Sequence, residues 1–190
     1  MIIESLYYDN EKWQFENECI EIKEDVDLVM AFGDTDVFEE AEHYKYLRSL
    51  YPNAEIIGSS SSGNVLGAQI SQKSIVATAI NFSKSHLKVN VIDFDSNDDL
   101  EVISRELVSN LPNEDLKSIF IISDGLNMNG STLAQGVNLE KKNILITGGL
   151  AGDDARFEKT LIMANDVPKS KRVVAIGFYG KDIHVSSGCY

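Results

Sequence analysis

The sequence predicts an α/β fold: a layered sandwich of mixed, largely antiparallel sheets flanked by helices, αββα-like. Three observations predict it. Two continuous apolar runs of strand length, residues 27–33 (DLVMAFG) and 118–123 (SIFIIS), each end in an acidic turn and lead into helical spacing. Two pairs of alternating segments, 74–82 (SIVATAINF) with 88–94 (KVNVIDF) and 172–180 (RVVAIGFYG) with 182–188 (DIHVSSG), read as antiparallel hairpins. The chain has 190 residues, 43% hydrophobic and 25% charged, enough for a sizeable core without staples. A three-layer αβα arrangement is the alternative.

The elements follow in order. After the strand at 27–33, Asp36 and Glu39 stand as N-cap and third-position acid, close to a capping box. Val37, Ala41, Tyr44, Leu47 and Tyr51 continue at helical spacing, and Pro52 stops that helix. Residues 54–58 form the next strand, which enters the serine run 59–62 and Gly63. Apolar pairs bracket the run too tightly for a linker, so it reads as a tight loop between strands. Leu100, Ile103, Leu107 and Leu111 form a helical stripe with Ser96 as N-cap, ended by Pro112. The strand at 118–123 leads into Asp124-Gly125. A helix over 131–142 follows, with Leu133, Val137 and Leu139 inward and Lys141-Lys142 at its negative end. A strand at 143–147 enters the loop 148–154 (GGLAGDD), and strands at 160–164, 172–179 and 182–187 complete the chain.

The second half echoes the first. Each strand with an acidic turn precedes a helix and a strand that enters a small-residue loop; Gly58 and Gly148 begin those loops 90 residues apart. An internal pseudo-duplication and a coincidence of α/β rhythm both fit this pattern.

Charge and composition exclude several functions. Seventeen basic against 30 acidic residues give −13, which argues against nucleic acid and against an anionic membrane surface. The first fifty residues hold 14 acids and four bases. No run approaches 18 apolar residues, and the acidic N-terminus does not read as a signal peptide. Cys19 and Cys189 make no disulfide framework, so the expected compartment is the reducing cytoplasm.

Three constellations could carry chemistry. The run Gly58-Ser59-Ser60-Ser61-Ser62-Gly63 lacks the glycine that a nucleophile elbow needs after its serine, and a strand follows it. Its hydroxyls and amides can instead hydrogen-bond a small polar ligand or cap their own turn. The loop Gly148-Gly149-Leu150-Ala151-Gly152-Asp153-Asp154 fails the Walker pattern, because aspartates stand where Lys-Ser/Thr belongs. Asp34, Asp124, Asp153 and Asp154 each follow a predicted strand and could take a cation or a ligand amine, or be solvated loop carboxylates. His43, His86 and His184 show no zinc spacing with the cysteines.

Together these motifs resemble a known family. Residues 52–63 (PNAEIIGSSSSG) resemble the proline, Ile-Gly-Cys/Ser and glycine signature of the FIST N-terminal domain. Residues 120–125 (FIISDG) look like its strand and Asp-Gly turn. Residues 148–153 (GGLAGD), with Phe157 and Thr160, are similar to its Gly-Gly-x-Ala-Gly-Asp block, and 173–178 (VVAIGF) to its next strand. The resemblance covers about residues 25–190 in the family's order.

The resemblance implies a non-catalytic intracellular sensory module of a signal-transduction protein, one FIST N-like domain over residues 1–190. Its expected ligand is a small polar molecule such as an amino acid, held by Gly58, Ser59, Ser60, Ser61, Asp124, Gly148, Gly149 and Asp153. The implied partners are a C-terminal FIST domain, which this chain would lack, or an output domain: kinase, chemoreceptor or cyclic-dinucleotide enzyme. No cofactor is identified. Some family members are haem proteins, so a haem-based gas sensor is an alternative reading, beside a serine-loop hydrolase and a pure protein-interaction module.

Overall fold

The computed structural model describes residues 1–67 and 69–186. In chain order it contains β1 (Ile2–Asp9), β2 (Lys12–Asn17), β3 (Leu28–Gly33), α1 (Thr35–Phe38), α2 (Ala41–Leu50), β4 (Glu55–Ser60), β5 (Asn64–Leu66), β6 (Gln69–Ser71) and β7 (Ile75–Asn81). There follow β8 (His86–Asp93), α3 (Leu100–Ser109), β9 (Leu116–Ser123), α4 (Gly130–Glu140), β10 (Leu145–Leu150), β11 (Ile162–Ala164) and β12 (Arg172–Tyr179). The class is mixed α/β, as the sequence predicts. Among the described residues seven of the nine strand pairs are antiparallel, so the sheets are largely antiparallel.

The chain folds into two compact units, and each uses two separate stretches. The first holds residues 1–83 and 151–170; the second holds residues 84–150 and the stretch that starts at Lys171.

The first unit has a six-stranded sheet in the order β11-β4-β3-β7-β1-β2, and the β5-β6 hairpin. Val29 and Ala31 of β3, Ile56 of β4, and Ile75, Ala77 and Ala79 of β7 are buried with Phe38 and Leu47 of the two helices. Strand alternation puts these residues on one face, and burying that face holds α1 and α2 against the sheet. Glu4 sits in this unit with no exposed surface, and accepts hydrogen bonds from Lys23 Nζ (2.8 Å), Tyr51 OH (2.7 Å) and the Ile20 amide (3.0 Å).

The second unit has a four-stranded sheet in the order β10-β9-β12-β8. Ile103, Leu107 and Val108 of α3 and Leu133 and Val137 of α4 are buried with Ile119 and Ile121 of β9 and Val173 and Ala175 of β12. The two helices approach closely where Gly136 meets Ser104; a Cβ on Gly136 would lie 2.6 Å from the Ser104 Cβ.

One four-strand path occurs in both units. In the first, the spatial order β4-β3-β7-β1 joins a parallel pair, β3 and β4, to antiparallel β7 and then antiparallel β1. In the second, β10-β9-β12-β8 repeats the same order and directions. A helix links the parallel strands each time, α2 or α4. The register repeats as well. Ala31 pairs with Gly58, three residues before Asp34; Ile121 pairs with Gly148, three residues before Asp124. The Asp34 amide donates to Ser74 O and the Asp124 amide to Arg172 O, both at 3.0 Å. Repeated order, direction and register favour duplication over coincidence.

Several expectations need correction. The segments at 74–82 and 88–94 do form strands, but they do not pair with each other. β7 pairs with β1 and β3, and β8 pairs with β12. The chain leaves the first unit between them, at Ser83. Residues 182–186 form no strand, and residue 187 lies outside the described residues. The helix after β3 breaks in two, and its N-cap is Asp34, whose carboxylate accepts from the Asp36 amide. Asp99, not Ser96, caps α3. Leu139 is 49% exposed rather than inward, and Lys141 is buried, donating to Leu111 O (2.5 Å) and Asn113 Oδ1 (2.6 Å).

Candidate functional site

Five of the eight residues singled out by the sequence lie in the first unit, and the structure brings them together. Ser59 and Ser60 belong to β4, so the serine run is half strand and half loop. Ser60 is 1% exposed, and its amide, carbonyl and Oγ each have a partner. Its amide donates to Leu161 O (2.9 Å), its carbonyl accepts from Gly152 N (3.1 Å) and its Oγ accepts from Leu161 N (3.0 Å). The Ser61 amide donates to Gly33 O (2.8 Å), and its Oγ donates to Asn64 Oδ1 (2.7 Å). Ser62 Oγ accepts from Asp154 N (3.0 Å). The Ser60 and Ser62 hydroxyls, with the Ser60 carbonyl, hold Leu161, Asp154 and Gly152 against the end of β4.

Asp153 closes the loop on the other side. Its carboxylate accepts from the amides of Phe157 (3.2 Å), Glu158 (2.7 Å) and Lys159 (3.1 Å). Burial pushes its pKa up, but those amides and the nearby Arg156 outweigh burial and hold it below the ordinary aspartate value. Asp154 behaves oppositely. Partial desolvation by the surrounding loop, a hydrogen bond with Asp34 and the Asp34 charge all raise its pKa, although the residue itself is exposed. Arg156 Nη1 donates to Asp36 Oδ1 at 2.8 Å. Asp153 is thus spent on its own loop, while Asp34 and Asp154 face each other as two like charges.

The other three residues lie in the second unit. Asp124 is fully buried and spent on its own turn and on the start of the stretch at Lys171. Its Oδ1 accepts from Leu126 N (2.8 Å) and Asn127 N (2.9 Å), and its Oδ2 accepts from Lys171 N (2.5 Å) and Asn127 Nδ2 (2.9 Å). Gly148 and Gly149 instead line an open cleft of about 330 Å³ between α4 and β10. Ile121, Leu133, Val137 and Ile146 give it apolar walls, and Asn138 and Thr147 give it polar groups. That size lies at the lower end of ligand pockets, and the mixed lining is typical of them.

Sequence reasoning missed the α4 side of this cleft. Leu133 and Val137 read simply as core because their spacing is helical, and they are indeed buried. Nothing in the sequence marks the cleft itself: Gly148, Gly149 and Leu150 continue β10 and are exposed, which only the folded chain shows.

The cleft does not fit haem, since no His, Cys, Tyr or Met lines it to supply an axial ligand. His43 is 3% exposed and packed between Tyr8 (ring centroids 4.3 Å apart) and Trp13 (6.0 Å), with Nε2 3.3 Å from Glu40 Oε2. His86 stacks on Tyr179 at 5.2 Å. Cys19 Sγ donates to Ile3 O. Among the described residues no group of three His, Cys, Asp or Glu side chains is placed to hold a metal ion.

A family model, the FIST N domain, matches residues 27–190. The match starts one residue before β3, so the β1-β2 hairpin precedes it. Among curated proteins none matches the chain.

Proposed function

The chain belongs to the FIST N domain family, a family of sensory domains in signal-transduction proteins, and from that premise we propose that it is a non-catalytic input module that recognises its ligand in the cleft between α4 and β10. The observation that carries this reading is the contrast between the two glycine- and serine-rich loops. The serine loop of the first unit is hydrogen-bonded to itself and to residues 152–161. The equivalent strand of the second unit opens onto a cleft. Gly148 and Gly149 are therefore the ligand-facing residues in this reading, while Gly58, Ser59, Ser60, Ser61, Asp124 and Asp153 hold the loops in shape.

The cleft favours a ligand of amino-acid size. Ile121, Leu133, Val137 and Ile146 would bury an apolar side chain, and Asn138 and Thr147 would meet a polar end. The non-catalytic assignment draws support from the serine run. Among the described residues no histidine or carboxylate side chain hydrogen-bonds Ser60, Ser61 or Ser62, as an activated nucleophile requires. An output domain would read the occupied state, and the chain's −13 charge disfavours nucleic acid as that partner. No described helix is long and apolar enough to cross a membrane, and the cytoplasm is the compartment we propose.

Thermal unfolding with millimolar apolar amino acids tests the reading. Binding to the native state raises its stability by mass action. The wild type should gain in Tm with at least one of them, and Ala134→Trp, which fills the cleft from the exposed face of α4, should lose that gain. A gain that Ala134→Trp leaves intact would put the ligand elsewhere.

A further inference from the structure

We propose that the cleft and the outer edge of β10 accept an extended polypeptide strand from a partner, antiparallel to β10, with two apolar side chains two residues apart entering the cleft. This rests on the cleft being the recognition site and names what it recognises.

The first unit displays the arrangement already filled. Its β4 is the equivalent of β10 by sheet order and register. There β11 lies antiparallel along the outer edge of β4, with Ile162 opposite Ser59, Met163 opposite Gly58 and Ala164 opposite Ile57. The Ser60 amide donates to Leu161 O, and Ile56 O accepts from Asn165 N, both at 2.9 Å. Leu161 and Met163 are 2% and 0% exposed and belong to the same buried cluster as Ala31, Leu47 and Ile56. They are the alternate side chains of the added strand, and they fill the space beside α2 and β4.

Among its described residues the second unit has the same parts without the strand. Ile121 stands where Ala31 does, Ile146 where Ile56 does, and Gly148 where Gly58 does. Among the described residues β10 pairs with β9 alone. Ser60 is 1% exposed under β11, whereas its equivalent Leu150 is 47% exposed. The cleft of about 330 Å³ is the counterpart of the volume that Leu161 and Met163 occupy. By the shared register, the amides of Gly148 and Leu150 and the carbonyl of Ile146 point outward, as do those of Gly58, Ser60 and Ile56. An open strand edge beside an apolar groove is the arrangement that takes an added strand, with main-chain bonds for affinity and alternate side chains for specificity. A second copy of this chain is disfavoured as occupant, since each copy carries −13.

The test uses the full chain and a synthetic peptide copying residues 159–166 (KTLIMAND), which carries Leu161 and Met163. The readout is amide hydrogen exchange at Gly148 and Leu150. The peptide should slow exchange at both amides. A peptide with Leu161→Ser and Met163→Ser should bind about tenfold more weakly or worse, the loss of buried anchors. Ala134→Trp in the protein should remove the protection, and Gln135→Trp, on the same helix but outside the cleft, should not. Protection only at β4, unchanged by Ala134→Trp, would mean the peptide merely replaces β11 and would overturn the proposal. Free amino acids that bind the cleft while the peptide does not would also overturn it, and would leave the cleft as a small-ligand site. No binding of either to an intact cleft would defeat both readings. Protection that appears with protein concentration alone would assign the edge to a second copy and overturn the partner strand.

Discussion

Gly58 and Gly148 hold one position in a repeated unit, each pressed against the carbonyl of the parallel strand beside it. A Cβ on Gly58 would stand 1.8 Å from Ala31 O, and a Cβ on Gly148 would stand 1.9 Å from Ile121 O. Backbone cannot yield at such distances without parting the parallel pair. Gly148 also has φ +151°, in the region that favours glycine. Both small-residue loops therefore begin with a glycine for a packing reason, whatever they bind.

Gly58→Ala and Gly148→Ala should each destabilise the protein by about 3 kcal/mol or more, the upper range of overpacking. Gly149→Ala should stay within about 0.5 kcal/mol of wild type, because no atom lies within 4 Å of its Cβ position. Urea unfolding of the three variants checks the contrast. A Gly58→Ala protein as stable as wild type would refute the equivalence as a packing constraint.

Glu4 is the charged centre of the first unit. Burial pushes its pKa up, but hydrogen bonds from Lys23, Tyr51 and the Ile20 and Cys19 amides outweigh burial and hold it below the ordinary glutamate value. Its stabilisation is therefore complete above about pH 4.3 and is lost as pH falls through the lower folded-state value. Glu4→Gln should lose about 2 kcal/mol at pH 7, the loss of charged hydrogen bonds inside the fold. The gap from wild type should narrow steadily below pH 4, as read by chemical unfolding at each pH.

His43 works in the other direction. Burial among Tyr8 and Trp13 lowers its pKa, while Glu40 and Glu42 pull it partly back. The unfolded chain then binds a proton more readily than the native one, so this group's contribution to stability falls as pH drops below about 6.5. His43→Phe keeps an aromatic ring in the site and should flatten the stability profile between pH 7 and pH 5. Glu40→Gln should steepen it, since the Nε2–Oε2 contact at 3.3 Å opposes the loss.

Asp154 takes a raised pKa from partial desolvation by the loop, from its hydrogen bond with Asp34 and from the Asp34 charge. Asp34→Asn removes that charge, and the Asp154 titration followed by carboxyl NMR should move down toward the ordinary aspartate range. An unmoved titration would mean that desolvation by the loop, and not Asp34, sets it.

Much of the fold was legible in the sequence, and the failures share a cause. β3, β9 and β12 are buried strands, and their apolar runs announce them within one or two residues. The β1-β2 hairpin passed unseen because its turn, Asn10-Glu11, takes φ +49° and +61° without the glycine that usually marks such turns. The segments of β7 and β8 read as strands correctly and as partners wrongly. Alternation reports which residues face a core; it does not report which strand lies alongside. The candidate cleft was half legible for the same reason. Gly148 and Gly149 stand out in the sequence, and both line the cleft. The serine run stands out equally, but its hydroxyls are used inside the fold. What distinguishes the two loops is β11, twelve residues past β10 yet paired with β4. That pairing is a property of the folded chain.

The central claim, that recognition takes place between α4 and β10 and not at the serine loop, is tested most directly by NMR chemical-shift mapping of the full chain against apolar amino acids and the peptide of residues 159–166. Perturbations should concentrate at Gly130, Ala134, Asn138, Thr147, Gly148 and Leu150. Perturbations centred on Ser59–Ser62 and Asp153, with the α4 and β10 signals unmoved, would contradict it.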